Sequence, residues 1–346
     1  MFTTPAIHAL RRRFPHADIT YLVEPAAAPV VLHNPHLDHV IVATRARGLR
    51  GVFSDVALGM QLRRDRYDLA IDFHGGPRAS LLTWLSGAPL RIGYTIAGRR
   101  WVYTHRVPRP RALRPRHSVE NQWDLLAGLD IPLPDRNAFP VEMVAGATVA
   151  ASVAERLARA GVRDGDAVIV VHVSAGNPFR RWPMEHFVTL LSELAARDAN
   201  RRIIVTSGPS EHTAAERAIE GARARLAADT RTRLLSCGEF SLDELRALLD
   251  RASLYIGGDS GPLHIAATTR VPIVGLYGPT LPVRSAPWRS TAGVAEAVDA
   301  GDLPCRPCDQ RVCAPGDFRC LTRIQPEQVL DAAARALTRS SSDGTV

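Results

Sequence analysis

The chain has 346 residues, 46% hydrophobic and 23% charged, a composition that suits a soluble globular protein with room for two domains. No apolar run approaches the ~20 residues of a membrane-spanning helix, and no basic-then-apolar leader opens the chain, so a cytoplasmic protein is expected. The net charge is +8 and every basic side chain is arginine, which suits anionic partners such as phosphates or an acidic membrane face; without aromatic–basic interleaving or a binding motif, nucleic acid is not an expected partner.

In chain order, helix and strand signals alternate. "TPAIHALRRRFPHA" reads as a helix with Thr4 at its N-cap and Pro5 in its first turn. "DITYLVEP" and "HVIVAT" read as strands, "DVALGMQLRRDRY" as a helix, and "DLAIDFHGG" as a strand ending in a polar tip. "RASLLTWLSGA" is a helix and "LRIGYT" a strand. A looser, proline-bearing stretch follows, with "HSVENQWDLLAGLDI" helical inside it. Its end, near residues 131–145, is the expected domain boundary. The pattern restarts with the strand "DAVIVVHVSAG", the helix "MEHFVTLLSELAARD" and the strand "RRIIVTSG". The helix "EHTAAERAIEGARARLA", the strand "TRLLSCG" and the helix "SLDELRALLDRA" come next, the last opened by a capping box of Ser241 with Glu244. "SLYIGGD" and "VPIVGLYG" are strands, and "PEQVLDAAARALTR" is a final helix. The expectation is an α/β protein of two Rossmann-like doubly wound domains: residues 1–145, residues 146–338, and a disordered tail at 339–346.

The turn after "SLYIGGD" concentrates special residues. Gly257 and Gly258 permit a sharp turn, Ser260 suits an N-cap, and Pro262 suits a first helical turn. The helix start so formed is an anion site, with Gly261 leaving room for close approach of a phosphate. Asp259 is suited to sugar hydroxyls, and His264 to a phosphate or leaving group. A well-capped helix with His264 packed beneath a loop is the alternative. Cys305, Cys308, Cys313 and Cys320 follow C-x2-C-x4-C-x6-C, compact enough for a structural zinc site but equally open to reduced or partly paired thiols. Cys237 reads as a core residue.

The segment D-S-G-P-x-H-I-A-A followed by V-P-I-V-x-L-Y-G-P-T resembles the heptosyltransferase family, glycosyltransferase family 9. "YDLAIDFHGGPRASLLTWLSGAPLRIGY", "HSVENQWDLLAGL" and "SAGNPFRRWPMEHFVTLL" are similar to further family segments in the same order. "CRPCDQRVCAPGDFRCLTRIQPEQV" resembles the tail of the branch that adds the second heptose to the lipopolysaccharide core. The likeness runs almost the whole length of the chain.

The resemblance implies the GT-B architecture, with the first domain for a lipid A-linked core acceptor and the second for ADP-heptose. It implies an inverting transfer that requires no cofactor, at the cytoplasmic face of the inner membrane. Carried over, Ser260 and Gly261 bind the pyrophosphate and Asp259 contacts the heptose. Arg180, where the family often has lysine, and Arg181 offset charge on the leaving ADP, His264 lies close by, and Gly278 and Thr280 shape the other wall. Ser174 stands where the family usually has proline. Trp182 and Pro183 are expected to fix a helix start by packing. Arg78 is a candidate for acceptor phosphates. The family's N-terminal strand and the aspartate favoured as its base lie before the point matching Met1, so the first strand is expected to be missing. That loss is expected to expose the apolar face of the first helix. Asp72 and His74 are the substitute base candidates, with acceptor contact or strand capping as their other roles. Two rival functions remain: a non-catalytic nucleotide-sugar-binding scaffold, and a glycosyltransferase using another donor.

Overall fold

The computed structural model describes residues 1–46, 48–110, 115–208 and 211–343. The chain divides into two units, Phe2–Asp135 and Arg136–Val346 with Met1. The arginine clusters around residues 45–50 and 99–116 fall partly outside the described residues, as do tail residues 344–346.

The first unit runs α1 (Thr4–Arg13), β1 (Thr20–Val23), β2 (His39–Val42), α2 (Gly48–Arg64), β3 (Leu69–Asp72), α3 (Pro77–Leu85), β4 (Leu90–Tyr94), β5 (His105–Val107) and α4 (Ser118–Trp123). β1 pairs with β2, and β4 lies between β3 and β5; both sheets are parallel. Among the described residues no strand joins β1 to β3. Helix α1 begins at Thr4, so Thr3 rather than Thr4 is its N-cap, and the Thr3 hydroxyl bonds Tyr21 Oη at 3.0 Å instead of capping. Its apolar face is buried rather than exposed, with Ala6, Ile7 and Ala9 all 2% accessible or less. β5 is a three-residue strand whose sequence, His105-Arg106-Val107, carries no apolar period.

The second unit runs α5 (Ala147–Arg159), β6 (Ala167–His172), α6 (Met184–Arg197), β7 (Arg201–Thr206), α7 (His212–Ala224), α8 (Ala228–Arg231), β8 (Leu234–Leu235), α9 (Leu242–Asp250), β9 (Leu254–Gly258), α10 (Gly261–Ala266), β10 (Ile273–Tyr277), α11 (Pro282–Ser285), β11 (Ala295–Asp299), α12 (Arg319–Thr322) and α13 (Pro326–Asp343). Its six parallel strands lie in the order β11-β10-β9-β6-β7-β8. The four inner strands are near-continuous apolar runs because helices cover both of their faces, whereas β11 is an edge strand and half polar. The capping box of α9 forms as expected: Ser241 N donates to Glu244 Oε2 at 2.8 Å, and Glu244 N to Ser241 Oγ at 3.4 Å.

Two expectations shift. The chain divides between Asp135 and Arg136, inside the expected 131–145 stretch but ahead of residue 145, because the intervening segment is already bonded into the second unit. Val141 N donates to Trp288 O at 2.9 Å, Trp288 Nε1 to Phe139 O at 2.8 Å and Arg246 Nε to Met143 O at 2.9 Å. At the other end α13 continues through Asp343, so residues 339–343 are helical rather than part of a disordered tail.

Candidate functional site

In the second unit the strand order reverses between β6 and β9: β7 and β8 extend one way, β10 and β11 the other. Open α/β sheets bind ligands at such a switch point, outside the carboxyl ends of the strands. A recess at this place is lined by His172, Ser174, Arg180, Arg181 and Gly258, among others.

β6 ends on His172, a buried residue that the sequence reading did not single out. Its Nδ1 lies 3.0 Å from Thr206 Oγ1 and its Nε2 3.2 Å from Ser174 Oγ, which accepts from Gly208 N at 2.7 Å. Burial lowers the imidazole pKa to about 4, so the ring is neutral near pH 7. The signal available was a histidine closing an otherwise apolar strand.

The segment after β6 makes a tight turn over Pro178–Arg180, capped by Asn177, whose Oδ1 accepts from Phe179 N at 3.0 Å. This turn packs against the end of β9: a Cβ on Gly258 would stand 3.3 Å from Arg180 O. Arg180 is 31% exposed and held on two sides. Its Nε donates to Gln310 Oε1 at 2.7 Å and its Nη1 to Asp259 O at 2.9 Å. Gln310 Oε1 also accepts from Asn177 Nδ2 at 2.8 Å. Gln310 has a left-handed backbone (φ 58°), a conformation that a residue with a Cβ holds only when its surroundings demand it. Neither Gln310 nor Asn177 was a sequence candidate; their offset along the chain carries no signal. Arg181 is engaged elsewhere, with Nε donating to Ala175 O at 2.9 Å and Nη2 2.5 Å from Glu211 Oε1. Trp182 and Pro183 pack as expected: Trp182 is buried with Nε1 donating to Ile324 O at 2.9 Å, and Pro183 is the N-cap of α6.

Asp259 follows β9 and is only 3% exposed, so it works on its neighbours rather than from the surface. Arg180 Nη1 stands 3.4 Å from Oδ2 and His264 Nε2 3.7 Å from Oδ1. Burial alone would raise its pKa, but the His264 contact, the Arg180 charge and the neighbouring Thr280 hydroxyl together hold it below the usual carboxylate value. Neither carboxylate oxygen closes a hydrogen bond of ordinary length, and the buried Thr280 hydroxyl makes none either. Ser260 occupies the N-cap position of α10, but its hydroxyl donates back to Gly258 O at 3.3 Å and does not cap. A Cβ on Gly261 would meet no heavy atom within 4 Å, so open space stands beside the first turn. Gly278 has a packing reason instead: a Cβ there would lie 2.6 Å from Leu321 Cγ. Arg306 Nη2 donates to Tyr277 O at 3.3 Å and to Thr280 O at 3.2 Å, and Cys308 N to Pro279 O at 3.3 Å, which fastens the cysteine segment to the Gly278–Thr280 wall.

In the first unit, Asp72 is a strand cap. It is buried, its Oδ1 accepts from His74 N at 3.0 Å and Gly75 N at 2.8 Å, and its Oδ2 from Tyr103 Oη at 2.6 Å and Ser80 Oγ at 3.4 Å. A carboxylate so occupied is a poor base. Burial and then the bond to Asp72 push the Tyr103 phenol above its ordinary value. His74 is exposed at the strand tip beside it. Arg78 does not reach out toward an anion. It is 17% exposed and bonds Asp55 Oδ1 at 2.9 Å, Ala43 O at 3.2 Å and Thr44 O at 2.8 Å, clamping α3 to α2 and to the end of β2.

Two units of parallel α/β build, the second with an arginine-bearing recess at its switch point, have the Rossmann-like build of the GT-B class. Residues 56–316 match the sequence profile of glycosyltransferase family 9 (heptosyltransferase), and the chain belongs to that family. It is 27% identical to lipopolysaccharide heptosyltransferase 3 of Escherichia coli, over 100% of this chain and 97% of the relative. Its fold is similar to the crystal structure of the glycosyl transferase family 9 from Veillonella parvula DSM 2008, with TM-score 0.82, 23% identity and coverage of 97% and 93% of the two chains. It is also similar to the structure of E. coli ADP-heptose LPS heptosyltransferase II, with TM-score 0.73, 18% identity and coverage of 98% and 95%.

Proposed function

We propose that this glycosyltransferase moves a heptose from ADP-heptose to a lipid A-linked lipopolysaccharide core acceptor, with inversion at the anomeric carbon. The observation that carries the donor half is the placement of Arg180. Gln310 and the Asp259 carbonyl hold its guanidinium at the switch point, and open space stands beside Gly261 in the first turn of α10. The names of the relatives support the heptose and lipopolysaccharide parts of the reading.

In this reading an acceptor hydroxyl attacks the anomeric carbon opposite the diphosphate. The bond from the anomeric carbon to ADP breaks, the leaving oxygen takes the electron pair, Arg180 offsets its charge, aided by amides at the start of α10, and the proton of the attacking hydroxyl is released to solvent. Asp259 orients Arg180 and His264 rather than touching the sugar from the surface. Asp72 is not assigned as base, because its oxygens are taken. The chemistry asks for no divalent metal, since the guanidinium supplies the positive charge.

The reading also places the protein at the inner face of the inner membrane. No helix of the described residues is long and apolar enough to cross a membrane. Surface contact is supported by α2, which exposes Val52, Phe53, Val56 and Met60, and by Trp84 of α3, whose ring meets exposed Trp101 edge-on at 5.4 Å. Exposed Arg50, Arg63, Arg64 and Arg100 accompany them, and apolar side chains beside arginines suit an anionic lipid surface.

Calorimetry with ADP, UDP and GDP, followed by transfer assays with ADP-heptose and a core acceptor, tests the proposal. ADP is expected to bind at least tenfold tighter than the other two. Equal binding of UDP or GDP, or no transfer from ADP-heptose, would sink it.

A further inference from the structure

Ser174 follows β6 and lines the recess at the switch point beside Arg180 and Gly258. It is buried, and it closes a row of buried polar side chains across the ends of β6 and β7. Gly208 N donates to Ser174 Oγ at 2.7 Å, Ser174 Oγ stands 3.2 Å from His172 Nε2, and His172 Nδ1 stands 3.0 Å from Thr206 Oγ1. The backbone holds the two strand ends in place, since Val173 N donates to Thr206 O at 3.0 Å.

Counting protons fixes the direction of this row. A hydroxyl has one hydrogen and accepts up to two, and a neutral imidazole has one N–H and one acceptor nitrogen. The buried His172 ring is neutral near pH 7. Two arrangements satisfy the distances. With the proton on Nδ1, His172 donates to Thr206 and Ser174 donates to His172. The Thr206 O–H is then left over, buried and with no other partner among the described residues. With the proton on Nε2, Thr206 donates to His172 and His172 donates to Ser174. Ser174 then accepts from both His172 and Gly208, and its own O–H is left over. A buried O–H without an acceptor is costly. Thr206 is not among the residues lining the recess, whereas Ser174 is, so only the second arrangement lets a ligand oxygen remove that cost.

The neighbouring charge says which ligand suits the site. Arg180 Nε and Nη1 are taken by Gln310 and by the Asp259 carbonyl, but Nη2 makes no hydrogen bond among the described residues. The recess thus offers N–H donors from a cation together with one O–H, and an anionic oxygen accepts from both.

We propose that Ser174 donates its hydroxyl proton to a diphosphate oxygen beside Arg180, with His172 held as the Nε2–H tautomer that turns the hydroxyl into the recess. Ser174 is then a ligand contact and His172 a positioning residue. Both arrangements hold the same number of protons, so binding takes none from solvent. The inference rests on reading the recess as the diphosphate site, and it adds to that reading a contact that depends on a buried tautomer.

The test uses the full chain with isotope-labelled histidine. Imidazole nitrogen NMR shifts distinguish the two neutral tautomers, and His172→Gln identifies the His172 signal by its loss. In the ADP complex near pH 7, His172 is expected to carry its proton on Nε2. In calorimetry Ser174→Ala is expected to bind ADP about tenfold more weakly while keeping the circular dichroism of the unaltered chain. A proton on Nδ1 in the ADP complex overturns the proposal, and so does an unchanged dissociation constant in the folded variant. If the variant does not fold, the tautomer in the unaltered chain still decides. An unaltered chain that binds ADP while Ser174→Ala binds it equally well removes Ser174 alone, whereas an unaltered chain that binds no ADP removes the diphosphate reading and this inference with it.

Discussion

Gln310 and Arg180 lie 130 positions apart in the chain and meet at 2.7 Å, the glutamine carbonyl oxygen accepting from the guanidinium Nε. Arg180 is thereby aimed by a residue of the cysteine-bearing segment on one side and by the Asp259 carbonyl on the other. The recess at the switch point therefore depends on a segment that contributes no strand or helix to the sheet beneath it.

Replacing Gln310 by Ala removes one bond to a partly exposed charge. ADP affinity is expected to fall roughly fivefold, about 1 kcal/mol. Calorimetry checks this, and an unchanged dissociation constant would remove Gln310 from the positioning of Arg180.

Arg180 and Arg181 are neighbours with different duties. Arg180→Ala is expected to weaken ADP binding by at least tenfold, because its charge faces the recess. Arg181→Ala is expected to change it less than threefold, since that guanidinium is already committed to Glu211 and Ala175 O. Equal losses in both variants would contradict the division.

His172 makes stability depend on pH. Burial holds its folded pKa at about 4, below the ordinary 6.5, so folding favours the neutral ring. Its stabilising contribution is complete above pH 6.5 and is lost as pH falls through 6.5 toward 4, on the order of 3 kcal/mol in all. Denaturant titrations of His172→Gln between pH 7 and pH 4 are expected to show a shallower fall than the unaltered chain. Parallel curves would mean that His172 does not drive the loss.

Arg78→Ala breaks a clamp rather than a binding site. Unfolding is expected to become easier by about 1–3 kcal/mol, since Asp55 and two carbonyl oxygens lose their donor. Acceptor KM in the surviving folded enzyme is expected to stay within twofold. A rise in KM with no loss of melting temperature would return Arg78 to the acceptor.

The α2–α3 face gives a direct membrane test. The chain is expected to sediment with vesicles containing phosphatidylglycerol but not with pure phosphatidylcholine vesicles, and added salt is expected to weaken the binding. Phe53→Ser with Trp101→Ser is expected to reduce it strongly. Equal sedimentation by both variants and vesicle types would discard the surface.

Much of the architecture was legible because it is local. Apolar runs bounded by glycine, as in Leu254–Gly258 and Ile273–Tyr277, mark buried parallel strands wherever they occur. Ser241 with Glu244 marks a helix start because both partners of the box lie within one turn. The short or polar strands β5 and β11 were not legible, since three residues, or a half-exposed edge, carry too little pattern. The Ala-rich α5 went unread beside the proline-bearing boundary, although Val153 and Leu157 are spaced for one buried face.

The sequence by itself determined the family, the two-unit α/β build and the strand-to-helix turn that carries Asp259, Ser260 and Gly261, because short segments hold each of these patterns. Only the tertiary structure decided what those side chains face. Asp259 turns out to be buried beneath Arg180 and His264, Gly278 makes room for Leu321, and Asp72 and Arg78 are consumed by their own unit. Gln310 becomes a partner of Arg180 because a long loop returns across the end of the sheet. The reason is physical: a residue's type limits the bonds it can make, but which donor stands within 3 Å of which acceptor depends on segments far apart in the chain.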